Sequence, residues 1–346
     1  MNTIALVGNP NSGKSSLFNH LTGLRQKVAN FPGVTVEKKF GTLRLPDGGE
    51  AQVIDLPGTY SLYPSSQDEL VVIDVLANPA DEMHPDAVVY VADVTHLEKH
   101  LLLLSQIIDL GFPVVLALNM SDLAAKEGIS VDTRQISAYL GLPVLSVSGR
   151  KGSNVEALRQ EIFKLLKEKK TPPKESVFHT SSGEEKQVVT AIQDTLHFDN
   201  PYRALLLAHH HKRLSFLKNE ERAQLADICQ TAGFKDLPFQ IAETMQRFGA
   251  ISPVLKRAIR KAGEKQTLTD KLDAIFTHKI FAPLLFFVIM FLVFQAIFAW
   301  AGHPMNWIDQ GFISLGDFLT RVLPPGWLTD LLTEGVLSGL GGVLVF

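Results

Sequence analysis

The sequence predicts an α/β domain whose sheet is mostly parallel with one antiparallel strand, followed by an all-α domain and a transmembrane helix. Three observations predict it. Short apolar runs alternate with helical patterns over the first half, as in a parallel sheet covered on both faces. The stretch KEKKTPPK at 167–174 reads as a linker, and helical periodicity without strand alternation follows it. Residues 280–301 carry no charged side chain, which suits a hydrocarbon environment.

In chain order, strands are expected at 3–7, 34–40, 51–55, 87–91, 114–119 and 144–147, with helices at 97–110, 133–140 and 154–167. The second and third strands are joined through Pro46-Asp47-Gly48-Gly49. That turn favours a hairpin and supplies the antiparallel strand. This domain is expected to fill 1–170. A second domain, 176–265, opens on a capping box, in which Ser182 accepts from a first-turn amide while Glu185 reaches back. Val188, Val189, Ile192 and Leu196 follow at helical spacing. Further helices are expected at 202–217, 220–232 and 239–262, the last broken at Ser252-Pro253.

The third segment, 266–346, starts with an amphipathic lead-in at 268–277. A helix over 280–301 rises about 33 Å, enough for a bilayer core of about 30 Å. Stretch 306–323 mixes Trp307, Ile308, Phe312, Phe318 and Leu319 with Asp309, Asp317 and Arg321. It suits an interfacial helix, with Trp307 and Trp327 at headgroup level. A truncated second span begins at about 335, so the chain reads as part of a longer, multi-pass membrane protein. Arg260, Lys261, Lys265, Lys271, His278 and Lys279 precede the first span, and only Arg321 follows nearby. Positive charge keeps that side cytoplasmic. Met1 leads into the first strand without the basic start of a signal peptide.

Four motifs carry the chemistry. Gly8, Asn9, Pro10, Asn11, Ser12, Gly13, Lys14 and Ser15 match G-x-x-x-x-G-K-[ST] between an apolar strand and a helix, with Ser16 next. Its amides curl around phosphates, Lys14 reaches the β- and γ-phosphates, and Ser15 ligates Mg2+. Asp55-Leu56-Pro57-Gly58 ends another strand. Asp55 would hold Mg2+ through a water, and the Gly58 amide would meet the γ-phosphate. Asn119-Met120-Ser121-Asp122 ends strand 114–119. Asp122 can accept both N1–H and N2–H of guanine, a donor pair that adenine lacks. Asn119 braces that loop. Met120 replaces the usual lysine and can pack over the base as its stem would. In Ser148-Gly149-Arg150, a backbone amide can reach guanine O6. Thr35, with Gly33 and Val34 beside it, is the candidate for a second Mg2+ hydroxyl in the loop 25–35. A second loop, 59–70, follows Gly58. Both loops should order with GTP and loosen after hydrolysis to GDP. Lys14, Thr35 and Gly58 are the catalytic candidates from these motifs.

Weaker signals have plainer explanations. His209, His210 and His211 diverge around a helix, so they cannot share one ion, and a solvated face beside Lys212 and Arg213 is expected. Asp68 and Glu69 read as a surface charge pair, Cys229 as a buried helical residue and 167–170 as a solvated helix end. One cysteine permits no disulfide within the chain and no cysteine cluster, which fits a reducing compartment. A net charge of −3 gives no reason to expect a nucleic-acid partner.

The four motifs resemble the small-GTPase superfamily. Asn30-Phe31-Pro32-Gly33-Val34-Thr35-Val36-Glu37 closely resembles the first switch segment of the FeoB ferrous-iron transporters. So do GNPNSGKSSLFN at 8–19, DLPGTYSL at 55–62, VIMFLVFQ at 288–295 and the domain order. The resemblance covers the whole chain. It implies a GTPase in the bacterial inner membrane, a helical domain that slows nucleotide release, and Fe2+ passage through the membrane part. It also implies homo-oligomers and small accessory transport proteins as partners. It gives Asn11 a catalytic part, its carbonyl holding K+ beside the phosphates in place of an arginine finger. Thr59 stands where many GTPases carry a water-orienting glutamine, so slow intrinsic hydrolysis is expected, with water placed partly by backbone groups. A soluble GTPase of RNA modification or ribosome assembly would require a basic module after the first domain, and none is evident. A nucleotide-gated membrane sensor without transport stays open.

Overall fold

The computed structural model describes residues 1–23, 26–30, 37–167, 178–197, 199–261, 276–300 and 302–345. They fall into two compact units, Met1–Gly263 and Glu264–Phe346.

The first unit is built on a seven-stranded sheet of order β2-β3-β4-β1-β5-β6-β8. Its strands are β1 (Asn2–Val7), β2 (Gln26–Asn30), β3 (Glu37–Arg44), β4 (Glu50–Asp55), β5 (Ala87–Asp93), β6 (Val114–Asn119) and β8 (Val144–Ser146). Strands β4, β1, β5, β6 and β8 pair in parallel. Their near-continuous apolar runs are buried because helices cover both faces. Successive β1 residues feed different cores: Ile4 and Leu6 join Leu17, Phe18, Leu158 and Ile162, while Ala5 and Val7 join Val72, Leu104 and Ile107. That is the two-residue period of a strand. β3 alone runs against its neighbours, pairing antiparallel with both β2 and β4. The β3–β4 turn closes on Gly48 at φ 82° and on a Leu45 N–H to Gly49 carbonyl bond of 2.8 Å.

The helices of this unit are α1 (Lys14–Thr22), α2 (Gln67–Ala77), α3 (Leu97–Asp109), α4 (Ser121–Lys126), α5 (Thr133–Leu140), α6 (Val155–Lys167), α7 (Gly183–Leu196), α8 (Pro201–His210), α9 (Asn219–Thr231) and α10 (Asp236–Ala258). The capping box at Ser182 and Glu185 starts α7 as expected. Helices α7 to α10 do not form a core of their own. Val188, Ile192, Tyr202, Leu206 and Leu255 belong to one cluster with Leu104, Ile107 and Leu116 of the sheet layer.

Several elements depart from the sequence reading. Of the strand expected at 34–40, residues 34–36 lie outside the described residues, and the strand continues past 40 to Arg44, because pairing with β4 runs up to Arg44↔Glu50 at the turn. Residues 67–70 belong to α2, capped by Ser66 accepting from the Glu69 amide, rather than to a loop. The run LVVIDVLA, dense in β-branched residues, hides that helix. Helix α8 stops at His210 rather than 217. Helix α10 passes through Pro253 unbroken. Gly249 and Pro253 are both exposed there, so the carbonyl that proline leaves unpaired faces water. Helix α10 also ends at Ala258, because β9 (Ile259–Lys261) leaves it to pair antiparallel with β7 (Ile129–Val131).

The second unit is helical over Phe281–Gln295, Gly302–Val322, Trp327–Asp330 and Ser338–Val345, with π-helical turns at Ala296–Trp300 and Leu331–Leu337. Among the described residues, one helical stretch, starting at Phe281, is long and apolar enough to cross a membrane. Its most apolar window has a mean hydropathy of 2.6, and none of it is buried. The stretch expected at 306–323 lies in a helix already running from Gly302. Most of the lead-in at 268–277 lies outside the described residues.

Candidate functional site

Strand β1 stays buried to Val7 and stops at Gly8. A Cβ on Gly8 would stand 2.2 Å from the Val91 carbonyl oxygen, so only glycine lets the chain turn against β5. The loop then reaches Asn11 at φ 62° and Gly13 at φ 83°. Gly13 is the second forced glycine, since its Cβ would meet Asn119 Nδ2 at 2.2 Å. Buried Asn9 is anchored from two sides. Its Nδ2 donates to the Lys99 carbonyl at 3.2 Å, and its Oδ1 accepts from the Tyr90 hydroxyl at 3.0 Å. Pro10 lies under Gly58, whose Cβ would come 2.9 Å from the Pro10 nitrogen. The DxxG glycine is therefore pressed on the loop. Buried Leu56 donates its amide to the Leu6 carbonyl at 3.2 Å, and Pro57 is half-buried beside it.

Three charged or polar groups meet where α1 begins. Lys14 Nζ lies 3.9 Å from Asp55 Oδ1. Ser15 Oγ donates to Asp55 Oδ2 at 3.4 Å. Burial lowers the Lys14 ammonium and raises the Asp55 carboxyl from their ordinary values, each opposed by the other's charge. Asp55 Oδ1 and Ser12 Oγ are buried with no hydrogen-bond partner among the described residues. The Ser15 hydroxyl and the Asp55 carboxylate form a hard-oxygen pair that suits Mg2+, and the ammonium and loop amides suit phosphate.

Asn119 joins the motifs. Its Nδ2 donates to the Ser12 carbonyl at 2.8 Å, and its Oδ1 accepts from the Gly149 amide at 2.7 Å. Met120 caps α4 in the left-handed region at φ 63°. Asp122 Oδ1 accepts from Ser148 Oγ at 2.8 Å. That hydrogen bond holds the Asp122 carboxyl below the usual range. Beside these groups lies a cavity of about 590 Å³ lined by Ser16, Asn19, His20, Gly23, Gly149 and Arg150. The structure thus gathers every motif residue except Gly33, Val34 and Thr35, which lie outside the described residues. Asn30 and Glu37, which flank them, are paired across β2 and β3.

The sequence reading missed a second layer. Tyr63 donates through its hydroxyl to Glu243 Oε2 on α10. Glu243 also takes the Tyr202 hydroxyl at 2.8 Å and Arg247 Nε at 2.6 Å, and Arg247 Nη1 reaches Asp109 Oδ2 at 2.8 Å. Glu243 and Arg247 are fully buried. Their positions gave a signal. Phe239, Glu243, Arg247, Ile251 and Leu255 recur every fourth residue, so the charged pair lies on the apolar face. The histidines are also buried, contrary to the solvated face expected. His209 meets Asp236, His210 Nε2 the Leu62 carbonyl at 2.9 Å, and His211 Nδ1 the Ala208 carbonyl at 2.9 Å. Neutral imidazoles can pair in this way with backbone carbonyls inside a core. No group of three potential metal ligands occurs among the described residues. Cys229 is buried, and burial raises its thiol to about 11.

Comparison with known proteins locates this arrangement. The family model for ferrous iron transport protein B matches residues 2–162. The chain is 34% identical to an Fe(2+) transport protein A/Fe(2+) transporter FeoB fusion protein of Porphyromonas gingivalis, over 99% of this chain and 42% of that one. It is 34% identical to an Fe(2+) transporter FeoB of Leptospira biflexa, over 99% of this chain and 50% of that one. The chain thus spans about half the length of the curated relatives it matches. Among solved structures, the cytosolic domain of the T. maritima FeoB iron transporter in its GMPPNP form aligns with a TM-score of 0.62 at 30% identity. That alignment covers 75% of this chain and all of the other.

Proposed function

This chain belongs to the ferrous iron transport protein B family, and we propose that its first unit binds GTP with Mg2+ and hydrolyses it to GDP and phosphate, gating or driving Fe2+ import through a membrane portion. The observation that carries the nucleotide reading is Asn119, which spans the phosphate loop at Ser12 and the Gly149 loop with one amide. It sets the spacing between phosphate and base sites. Asp122, held by Ser148, then selects guanine, because a wrong base would strand its carboxylate.

Each residue has a task. The amides from Gly8 to Ser15 and the Lys14 ammonium cradle the phosphates. Ser15, Asp55 and Thr35 would hold Mg2+, which would supply positive charge to offset that of the phosphates. Gly58 offers its amide to the γ-phosphate, and Pro10 beneath it fixes its height. Asn11, exposed at the loop tip, supplies its side-chain carbonyl oxygen, the donor type that K+ takes. That ion would add positive charge where the leaving oxygens gain negative charge. Thr59 rather than a glutamine follows Gly58, so a slow intrinsic rate follows, with backbone groups near Thr59 placing the water. The helical stretch 176–265 restrains nucleotide release, and the chain lies in the bacterial inner membrane with the nucleotide unit cytoplasmic. Small accessory transport proteins and self-association complete the partners, and the protein A fusion of one relative supports the former.

The test is GTP hydrolysis by the chain in detergent, in KCl and in NaCl at equal ionic strength, with ATP as competitor. GTP preference and faster turnover in KCl are expected, and Asn11→Ala should remove the potassium effect alone. Equal use of ATP would refute the role of Asp122. Full potassium stimulation in Asn11→Ala would refute the cation site.

A further inference from the structure

Three successive residues after the DxxG motif are gripped by groups from outside their loop. The Leu62 amide donates to Gln106 Oε1 of α3 at 2.8 Å, and its carbonyl accepts from His210 Nε2 of α8 at 2.9 Å. A carbonyl only accepts, so Nε2 of His210 carries the proton. The Tyr63 hydroxyl donates to Glu243 of α10, and the Pro64 carbonyl accepts from Arg213 Nη1 at 2.8 Å. The Tyr63 ring also meets the His209 ring edge-on, with centroids 5.2 Å apart.

The grip is rigid. Glu243 and Arg247 have no exposed surface, and Arg247 bonds Glu243, Asp109 and Ser105 at once. Strong, charge-assisted bonds fix both ends of the pair inside a packed core. The other end of the loop is fixed too, by Gly58 against Pro10. Only Thr59, Tyr60 and Ser61 lie between the two anchors. Thr59 is buried and donates to the Ser61 carbonyl at 2.8 Å, while Tyr60 is 56% exposed.

We propose that Tyr63, His210 and Arg213 are positioning residues for GTP hydrolysis: the helical segment holds the Leu62–Pro64 backbone so that Gly58 and Thr59 stand at fixed height over the γ-phosphate. This rests on the GTPase reading above and assigns the contact to the chemical step rather than to nucleotide release. The direction of the effect follows from geometry. With no glutamine to orient water, the backbone of Thr59 and Gly58 must do it, and a slack loop misplaces it. A misplacement near 1 Å costs up to about a hundredfold in rate.

The test separates chemistry from release in the full chain in detergent. Single-turnover hydrolysis of preloaded GTP reads the first, and dissociation of a fluorescent GDP reads the second. His210→Leu removes the donor to Leu62, His210→Gln keeps an N–H donor, and Tyr63→Phe removes one hydroxyl while Tyr202 and Arg247 still serve Glu243. His210→Leu and Tyr63→Phe should each slow hydrolysis at least tenfold with GDP dissociation within twofold of the unsubstituted chain. His210→Gln should stay within threefold. Unchanged single-turnover rates with only a lower melting temperature would overturn the proposal and leave the contacts structural. Faster GDP dissociation at an unchanged hydrolysis rate would overturn it in favour of a release device. An unsubstituted chain with no GTP turnover would overturn the parent reading, and this one with it.

Discussion

Replacing Arg247 with methionine probes what holds α10 to the sheet layer. The guanidinium is fully buried, 2.6 Å from Glu243, 2.8 Å from Asp109 and 3.2 Å from Ser105, with its carbon 4.6 Å from the Tyr202 ring centre. Methionine fills much of the space and brings no charge. Two carboxylates then lose their cation inside the core. Breaking a buried pair from one side costs about 3–5 kcal/mol, a large share of the roughly 5–15 kcal/mol that keeps a domain folded. The loss comes from stranded charge rather than from missing attraction. Adding Glu243→Gln and Asp109→Asn to Arg247→Met should therefore recover at least half of it. Acidity gives a second check. Burial pushes the Glu243 carboxyl up, but Arg247 and the bonds from Tyr63 and Arg247 outweigh it and hold it below the usual range. A depressed carboxyl lends stability above its unfolded value and loses it as pH falls through the folded one. Without Arg247 burial dominates, the carboxyl rises, and the deficit of the variant should narrow between pH 7 and pH 5. The assay is urea unfolding by far-ultraviolet circular dichroism, since Trp300, Trp307 and Trp327 all lie in the second unit. A deficit under about 1 kcal/mol, or a triple variant no more stable than the single one, would refute the reasoning.

Two further outcomes are expected. Asp122→Asn should cut kcat/KM for GTP by roughly tenfold to a hundredfold, the worth of a hydrogen bond to a charged group, and raise relative use of xanthosine triphosphate, whose C2 carbonyl suits an amide donor; retained guanine preference would show that another group reads the base. Burial lowers the His210 imidazole to about 4, so it stays neutral in the fold while the unfolded chain takes a proton below about 6.5. Stability should therefore drop as pH falls from 6.5 to 4, by at most about 3 kcal/mol from this group. His210→Gln should flatten the urea-midpoint curve over that range, and an unchanged curve would refute the assignment.

Much of the site was legible because its chemistry is local. The phosphate loop, Asp55 and Asn119 each follow an apolar run, and a parallel sheet delivers the ends of such strands to one edge. The parts that were not legible depend on pairings distant in sequence. β2 has no pattern of its own and exists because β3 offers it an edge. Helix α2 hides behind Leu70, Val71, Val72 and Ile73, whose run suits a strand as well as a buried helix. The histidines read as a solvated face because Lys212 and Arg213 follow them, and nothing local shows that Leu62 and Tyr63 pack on His209 and His210. Glu243 and Arg247 could have been found, since charges on the apolar stripe of a helix must be paired to be tolerated.

The short ladder of β7 with β9 has a practical meaning for anyone who divides this chain. Helix α10 looks like the end of the helical segment, yet the next three residues pair Ile259, Arg260 and Lys261 with Val131, Ser130 and Ile129. The Asp132 amide adds a bond of 2.9 Å to the Ala258 carbonyl. A cut after Ala258 would strip β7 of its partner and leave an open strand edge just beyond α4, the helix that carries Asp122, the residue proposed to read guanine. A fragment ended there would carry a sticky, loosened segment just beyond Asp122, whereas one ended after Lys261 keeps the seam closed.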